Sequence, residues 1–105
     1  MAEAENKIQL RIIKKLLSHG IFCWRSGNHA VWDSKLNIYR SNPYNMPGLP
    51  DIVCIIGGQF VGIEVKTKKG KQSADQMMFE KRCKRNGGEY ILATCIEDID
   101  PLLKP

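Results

Sequence analysis

The stretch Leu49-Pro-Asp-Ile-Val-Cys-Ile-Ile-Gly-Gly-Gln-Phe-Val-Gly-Ile-Glu-Val-Lys66 predicts two β-strands joined by a tight turn. Both halves are rich in β-branched and large apolar residues, which favour strands. Gly57-Gly58 can adopt the positive φ angles that a two-residue hairpin turn requires. Such a turn fixes the pairing of the strands and places Asp51 opposite Glu64.

Three charged residues interrupt this otherwise apolar hairpin: Asp51, Glu64 and Lys66. Directly opposed residues have Cβ atoms roughly 4.5–5.5 Å apart, so two carboxylates there repel each other. A positive charge should therefore lie between them, either Lys66 on the same strand face or a divalent cation. Oxygen ligands on a rigid hairpin suit Mg²⁺ or Mn²⁺ rather than zinc. The alternative is a solvent-facing strand with ordinary ion pairs.

Length and composition indicate one domain over residues 1–105, with an excess of five positive charges. This excess fits a nucleic-acid partner without requiring one. No apolar run is long enough to span a membrane, and the polar N-terminus does not resemble a signal peptide. The four cysteines lack metal-ligand spacing, which favours buried free thiols in a reducing compartment over a zinc site.

Residues 4–19 predict an amphipathic helix, because apolar residues recur at three- and four-residue spacing. Glu5 projects into the apolar arc of this helix and would need a partner there. Glu5 could instead lie in the first turn simply because the helix dipole favours an acid, and Glu3 lies nearby.

Residues 21–25 predict a strand, and the following stretch to Pro50 is irregular except for a weak strand at 38–40. Long irregular segments in small domains are often functional. Four side chains here could grip nucleic acid or cover the edge of the core: Trp32, Tyr39, Arg40 and Tyr44.

After the hairpin comes a basic loop, and then a second helix that begins at Ser73 and runs to about Asn86. Ser73 and Gln76 have the spacing of a capping box, which accounts for Gln76 structurally. A strand over 89–95 and a short helix over 96–104 complete the chain. The order is α-β-β-β-α-β with a short C-terminal helix, which predicts an α/β fold with a small mixed sheet flanked by helices.

Pro50-Asp51 followed after the turn by Glu64-Val65-Lys66 resembles the PD-(D/E)XK nuclease motif. With the N-terminal Glu5 and the Ser73-x-x-Gln76 helix, the chain resembles the VRR-NUC family, the virus-type replication-repair nucleases. The resemblance covers most of the chain except residues 28–46 and is closest to the stand-alone viral and bacterial type. It implies a restriction-endonuclease-like core.

The resemblance also implies roles for individual residues. Asp51, Glu64 and the backbone carbonyl of Val65 would bind Mg²⁺ or Mn²⁺, with Glu5 completing the acidic cluster. Lys66 would orient the attacking water and stabilise charge on the phosphate, and Gln76 would be an accessory residue near the metal. Five basic residues would contact the DNA backbone: Lys68, Lys69, Lys71, Arg25 and Arg40.

The leading hypothesis is a metal-dependent DNA endonuclease. By resemblance it would act as a homodimer on branched DNA such as Holliday junctions, in the cytoplasm of a bacterium or of a phage-infected host. One alternative is a non-catalytic nucleic-acid-binding module of the same fold, although Asp51, Glu64 and Lys66 are all present. A sequence-specific restriction-type nuclease is the other, although the chain has little room for a recognition domain.

Overall fold

A computed structural model describes residues 2–26, 31–40 and 46–104, without the side chains of residues 2–3, 31–33 and 38–40. Within these ranges the secondary-structure elements follow in this order: α1 (Ala2–Ser18), β1 (Phe22–Arg25), β2 (Val31–Asp33), β3 (Ile38–Arg40), β4 (Ile52–Ile56), β5 (Gln59–Val65), α2 (Ala74–Arg85), β6 (Glu89–Ala93) and a C-terminal 3₁₀ helix (Ile96–Leu103). The predicted α/β fold, a small mixed sheet flanked by helices, is confirmed.

Four strands form the main sheet in the order β1-β4-β5-β6. Strands β1, β4 and β5 are antiparallel neighbours, whereas β6 runs parallel to β5 after the crossover through α2. Ile56 pairs with Gln59, and both Gly57 and Gly58 have positive φ angles. The two-residue turn is therefore confirmed, and with it the register that brings Asp51 to the level of Glu64.

One face of the sheet carries the hydrophobic core beneath α1 and the 3₁₀ helix. Val61, Ile63 and Val65 alternate along β5 on this face, and each is at most 1% exposed. They belong to the same buried cluster as three residues of the covering helices: Ile12, Leu16 and Ile99. The alternation of side chains along β5 thus fixes which of its residues face the core.

The opposite face of the sheet is covered by α2 over β5 and β6. The Phe79 ring of α2 lies 6.3 Å from Phe60 and 6.2 Å from Tyr90, centroid to centroid. Between these aromatic residues and the end of β5, the segment before β4 lies directly on Gly62. A Cβ atom at Gly62 would come within 2.7 Å of Pro50 Cγ, so only glycine allows this close approach.

The stretch between β1 and β4 contains more regular structure than the sequence predicts. The weak strand over 38–40 is confirmed as β3, but it pairs with β2, which the sequence analysis did not predict. Asn37, with a φ of 54°, precedes β3 in the connecting turn. The two strands form a separate two-stranded sheet. The sequence analysis missed this short hairpin because polar residues surround both strands.

All four cysteines are free thiols, as predicted. Only Cys54 is fully buried, however, and Cys23, Cys83 and Cys95 are half-buried, so the expectation of buried thiols holds for one of the four. None of the helices in the described parts of the chain is long and apolar enough to cross a membrane.

Candidate active site

The carboxylate of Asp51 is held by the backbone of the neighbouring strand. Its Oδ2 accepts a hydrogen bond of 2.8 Å from the Val65 N–H. Its own carbonyl oxygen accepts one of 2.9 Å from the Ser26 N–H. Asp51 therefore sits where β4 begins, fixed between the end of β1 and the end of β5, as the hairpin register predicts.

Glu64 is a charged residue placed almost out of reach of water, with 2% of its surface exposed. Its Oε2 accepts a hydrogen bond of 2.9 Å from Gln76 Nε2 and lies 3.6 Å from the Lys66 ammonium. Its Oε1 is buried and meets no hydrogen-bond donor within the described part of the chain. One oxygen of a buried carboxylate is thus left unsatisfied, which is costly unless another ligand binds it.

The protonation of Glu64 reflects this environment. Its pKa is raised from the usual 4.5 to about 8, first by burial and then by the negative charge of Asp51. The Lys66 ammonium acts in the opposite direction but does not cancel these two effects. The single positive charge of Lys66 therefore does not balance the negative charges of Asp51 and Glu64.

These residues fit a hard divalent cation. Asp51 and Glu64 supply oxygen ligands, and the unsatisfied Glu64 Oε1 offers a position for one more positive partner. Across residues 4–26, 34–37 and 46–104, no group of three or more His, Cys, Asp or Glu side chains could hold a metal ion. Mg²⁺ is commonly bound by only one or two carboxylates, with waters and substrate phosphates completing its shell. The participation of the Val65 carbonyl stays a prediction.

Lys66 lies immediately after β5 at the same edge of the sheet. Its backbone N–H donates to the Ala93 carbonyl at 2.9 Å, which extends the parallel pairing with β6 by one step. Its side chain is 17% exposed, with the ammonium close to the Glu64 carboxylate. The lysine is therefore held beside the acidic pair while keeping access to solvent.

Gln76 completes a capping box and also hydrogen-bonds the Glu64 carboxylate, while its role near a metal stays a prediction. Its Oε1 accepts from the Ser73 N–H at 2.8 Å, and its own N–H donates to Ser73 Oγ at 3.1 Å, which completes the predicted capping box. Its Nε2 donates to Glu64. The amide that caps α2 therefore also anchors the buried carboxylate, because its oxygen accepts from Ser73 while its nitrogen donates to Glu64.

Glu5 is half-buried on α1, as its position in the apolar arc suggests. The N-terminal part of α1 lies at the end of β1, where Arg25 donates to Asn6 Oδ1 at 3.1 Å. The structure does not bring Glu5 into a three-acid group with Asp51 and Glu64. Its role as a third acid stays a prediction, and the side chain of Glu3 lies outside the described residues.

Among the predicted DNA contacts, Lys68, Lys69 and Lys71 are exposed in the loop that leaves the site after Lys66. Arg25 is also exposed, at the end of β1. Other predicted contacts fall outside the part described in side-chain detail: Arg40, Trp32, Tyr39 and Tyr44. The described basic residues therefore lie at the ends of β1 and β5, the two strands between which Asp51 is held.

The sequence analysis missed a polar network beside the site. Gln72 Nε2 donates to Glu80 Oε1 at 3.1 Å and to the Tyr90 hydroxyl at 3.3 Å. Burial chiefly raises the pKa of Tyr90 to about 12, and the nearby charge of Glu64 adds to this effect. The network depends on the pairing of Tyr90 with Gly62 across parallel strands, for which the sequence carries no local signal.

Fold and site together define an α/β chain with two carboxylates and a lysine at one edge of a small mixed sheet. A solved structure described as a VRR_NUC domain is similar to this chain, with 19% sequence identity and a TM-score of 0.67. The match covers 95% of this chain and 94% of that one. The chain therefore has the fold of a VRR-NUC domain, as the resemblance predicts. No family model and no curated protein matches the sequence.

Proposed function

We propose that this chain is a Mg²⁺- or Mn²⁺-dependent DNA endonuclease that hydrolyses phosphodiester bonds. The observation that carries the proposal is the unsatisfied, buried Oε1 of Glu64 beside Asp51, with Lys66 at the rim of the same site. Carboxylate oxygens of this kind can hold a metal ion that polarises a phosphate group and activates water. The fold shared with a solved VRR_NUC domain agrees with this activity.

In this proposal each residue has a distinct task. Asp51 and Glu64 bind the metal, which supplies Lewis-acid stabilisation of the phosphate oxygens and lowers the pKa of its water. Gln76 holds the Glu64 carboxylate in position through its 2.9 Å hydrogen bond. Lys66 orients the attacking water and stabilises the negative charge that builds on the phosphate. Lys68, Lys69 and Lys71 hold the DNA backbone without reading its sequence.

The proposal extends to branched DNA and a homodimer. Phe22, Trp24 and Ile55 share the sheet face opposite the core and are 68%, 42% and 39% exposed. The Phe22 and Trp24 rings lie 5.2 Å apart, so they form one apolar patch suited to a protein partner. A two-fold dimer would present two active sites to a junction with approximate two-fold symmetry. The enzyme would work in the cytoplasm of a bacterium or of a phage-infected cell.

A cleavage assay on flaps, four-way junctions, single strands and linear duplexes, with Mg²⁺ or Mn²⁺, tests the proposal. We expect wild-type protein to cut branched DNA and Asp51→Ala, Glu64→Ala and Lys66→Ala to lose at least about 10²-fold in rate. The first two variants lose a metal ligand, and the third loses the positive charge that stabilises the reacting phosphate. Lys14→Ala, an exposed lysine on α1, is the matched control and should cut normally.

Two results of the cleavage assay would contradict the proposal. If wild-type protein leaves every substrate intact with both metals while still binding DNA, the chain is a non-catalytic binding module. If Asp51→Ala cuts as fast as wild type, the site is elsewhere. Light scattering on the same samples should give twice the monomer mass of 11.9 kDa at micromolar concentration, and a monomer mass contradicts the paired sites.

A further inference from the structure

A pocket of about 290 Å³ opens on the face of the sheet that carries Glu64, beside the C-terminal half of α2. In its wall Gly88 packs closely on Cys83, because a Cβ atom there would come within 2.6 Å of the Cys83 sulfur. The volume is at the small end of the range for ligand pockets. The lining combines aromatic, thioether, thiol and hydrogen-bonding groups: Met46, Phe60, Phe79, Arg82, Cys83, Asn86 and Gly88.

The same two elements, β5 and α2, carry residues of the pocket and of the candidate active site. Phe60 in the pocket and Glu64 in the site are four residues apart on β5, or about 13 Å along the strand. Helix α2 spans the same interval, with Gln76 at the site and Arg82 at the pocket. Pro50 lies on Gly62 between the two places, so a ligand strand would reach both by passing over the outside of the segment before β4.

The segment from Met46 to Asp51 connects the two places a second time. Met46 lines the pocket, and Asp51 lies in the site. Between them Gly48 packs against the first turn of α2 so closely that a Cβ atom would come within 2.2 Å of the Asp75 carbonyl oxygen. Two elements packed at fixed distance thus set the spacing between pocket and site.

The chemistry of the pocket favours a planar ring attached to an anionic chain. The rings of Phe60 and Phe79 lie 6.3 Å apart and offer apolar contact area, while Arg82 and Asn86 at the exposed rim carry hydrogen-bonding groups. The surrounding end of α2 is basic, with four cations in five residues: Lys81, Arg82, Lys84 and Arg85. Bases stack on aromatic side chains and on arginine, and phosphates favour basic surroundings.

We propose that this pocket receives one unpaired base of the DNA strand whose backbone passes over Asp51 and Glu64. The inference rests on the proposed function for its ligand and adds to it a contact with an unstacked base. It gives the chain a physical reason to prefer DNA with single-stranded arms or junction openings, because a base inside a duplex cannot enter without being unpaired.

The test is a binding scan on the full-length chain in EDTA, so that no strand is cut. The probe is a fork with single-stranded arms, in which one abasic site is moved base by base along an arm. We expect wild-type affinity to fall at least about fivefold at one or two positions and little elsewhere, the smaller end of what base stacking on an aromatic ring contributes.

Variants locate the contact. Arg82→Leu should reduce that position-dependent loss, and Phe60→Leu should do so by removing a ring while keeping the pocket apolar. Arg11→Leu is the control, since Arg11 is exposed on α1 and belongs neither to the pocket nor to the basic end of α2, and it should keep the wild-type profile.

A flat scan overturns the inference, as does the absence of binding to every fork at micromolar protein. So does a position-dependent loss that is the same in wild type, Arg82→Leu and Phe60→Leu, because the base is then held elsewhere. The outcomes of the binding scan can be distinguished from those of the cleavage assay. An active nuclease with a flat scan rejects only the pocket, and an inactive chain with the expected scan rejects only the nuclease.

Discussion

The two faces of strand β5 are both buried, but burial has opposite consequences on them. Toward α1 and the 3₁₀ helix lie Val61, Ile63 and Val65, whose burial stabilises the fold without leaving any polar group unpaired. Toward α2 lies Glu64, equally hidden at 2% exposure but with one oxygen unsatisfied. Alternation along one strand thus separates the residues that stabilise the protein from the residue that can bind a cation.

The largest expected effect tests the core face. Ile63→Ala should lower the free energy of unfolding by about 2–5 kcal/mol, because it opens a cavity in a fully buried cluster. Leu92→Ala is a control on the other face of the sheet, where Leu92 is 41% exposed beside Glu64. It should cost less than half as much in urea unfolding. Equal losses of unfolding free energy in Ile63→Ala and Leu92→Ala would show that burial on the two faces of the sheet contributes equally to stability.

The second effect concerns how Glu64 makes the stability of the metal-free protein depend on pH. Its pKa rises from 4.5 in the unfolded chain to about 8 in the fold, so between these values the folded state binds more protons. The stability of the metal-free protein should therefore fall as pH increases from about 4.5 through about 8. In Glu64→Gln, which keeps the shape without the charge, this fall should be much smaller.

Thermal unfolding in EDTA at several pH values measures this difference directly. Saturating Mn²⁺ should remove most of the loss in wild type at the alkaline end, because the bound cation replaces the proton. Glu64→Gln should gain much less from the metal. Parallel pH profiles for the two proteins would mean that the burial of Glu64 does not destabilise its charged form.

The paired acids could be predicted because their arrangement is local. The Gly57-Gly58 turn fixed the register, and the alternation of side chains placed Glu64 and Ile63 on opposite faces. The position of Tyr90 could not be predicted, since β6 returns in parallel after a helical crossover and its pairing with Gly62 depends on the packing of α2. Local signals define hairpins and caps, whereas contacts across a crossover depend on the whole fold.

Gln76 shows within one side chain that local sequence signals predict contacts between neighbours but not contacts between elements. The spacing from Ser73 was enough to predict the capping box, which involves neighbours in sequence. The hydrogen bond from the same amide to Glu64 joins residues on different elements, and only the packing of α2 against β5 makes it. The likeness to a nuclease family placed Gln76 near the metal site, whereas spacing alone did not.

The smallest expected effect separates these two roles of Gln76. Ser73→Ala removes a cap and should cost about 0.5–2 kcal/mol of stability, with metal affinity little changed. Gln76→Ala should cost a similar amount of stability and also weaken Mn²⁺ binding roughly 10- to 100-fold, as losses of groups that orient metal ligands do. Titration calorimetry on both variants measures the difference. If Ser73→Ala weakens Mn²⁺ binding as much as Gln76→Ala does, the cap acts on the site only by holding α2 in place, and the bond to Glu64 has no separate role.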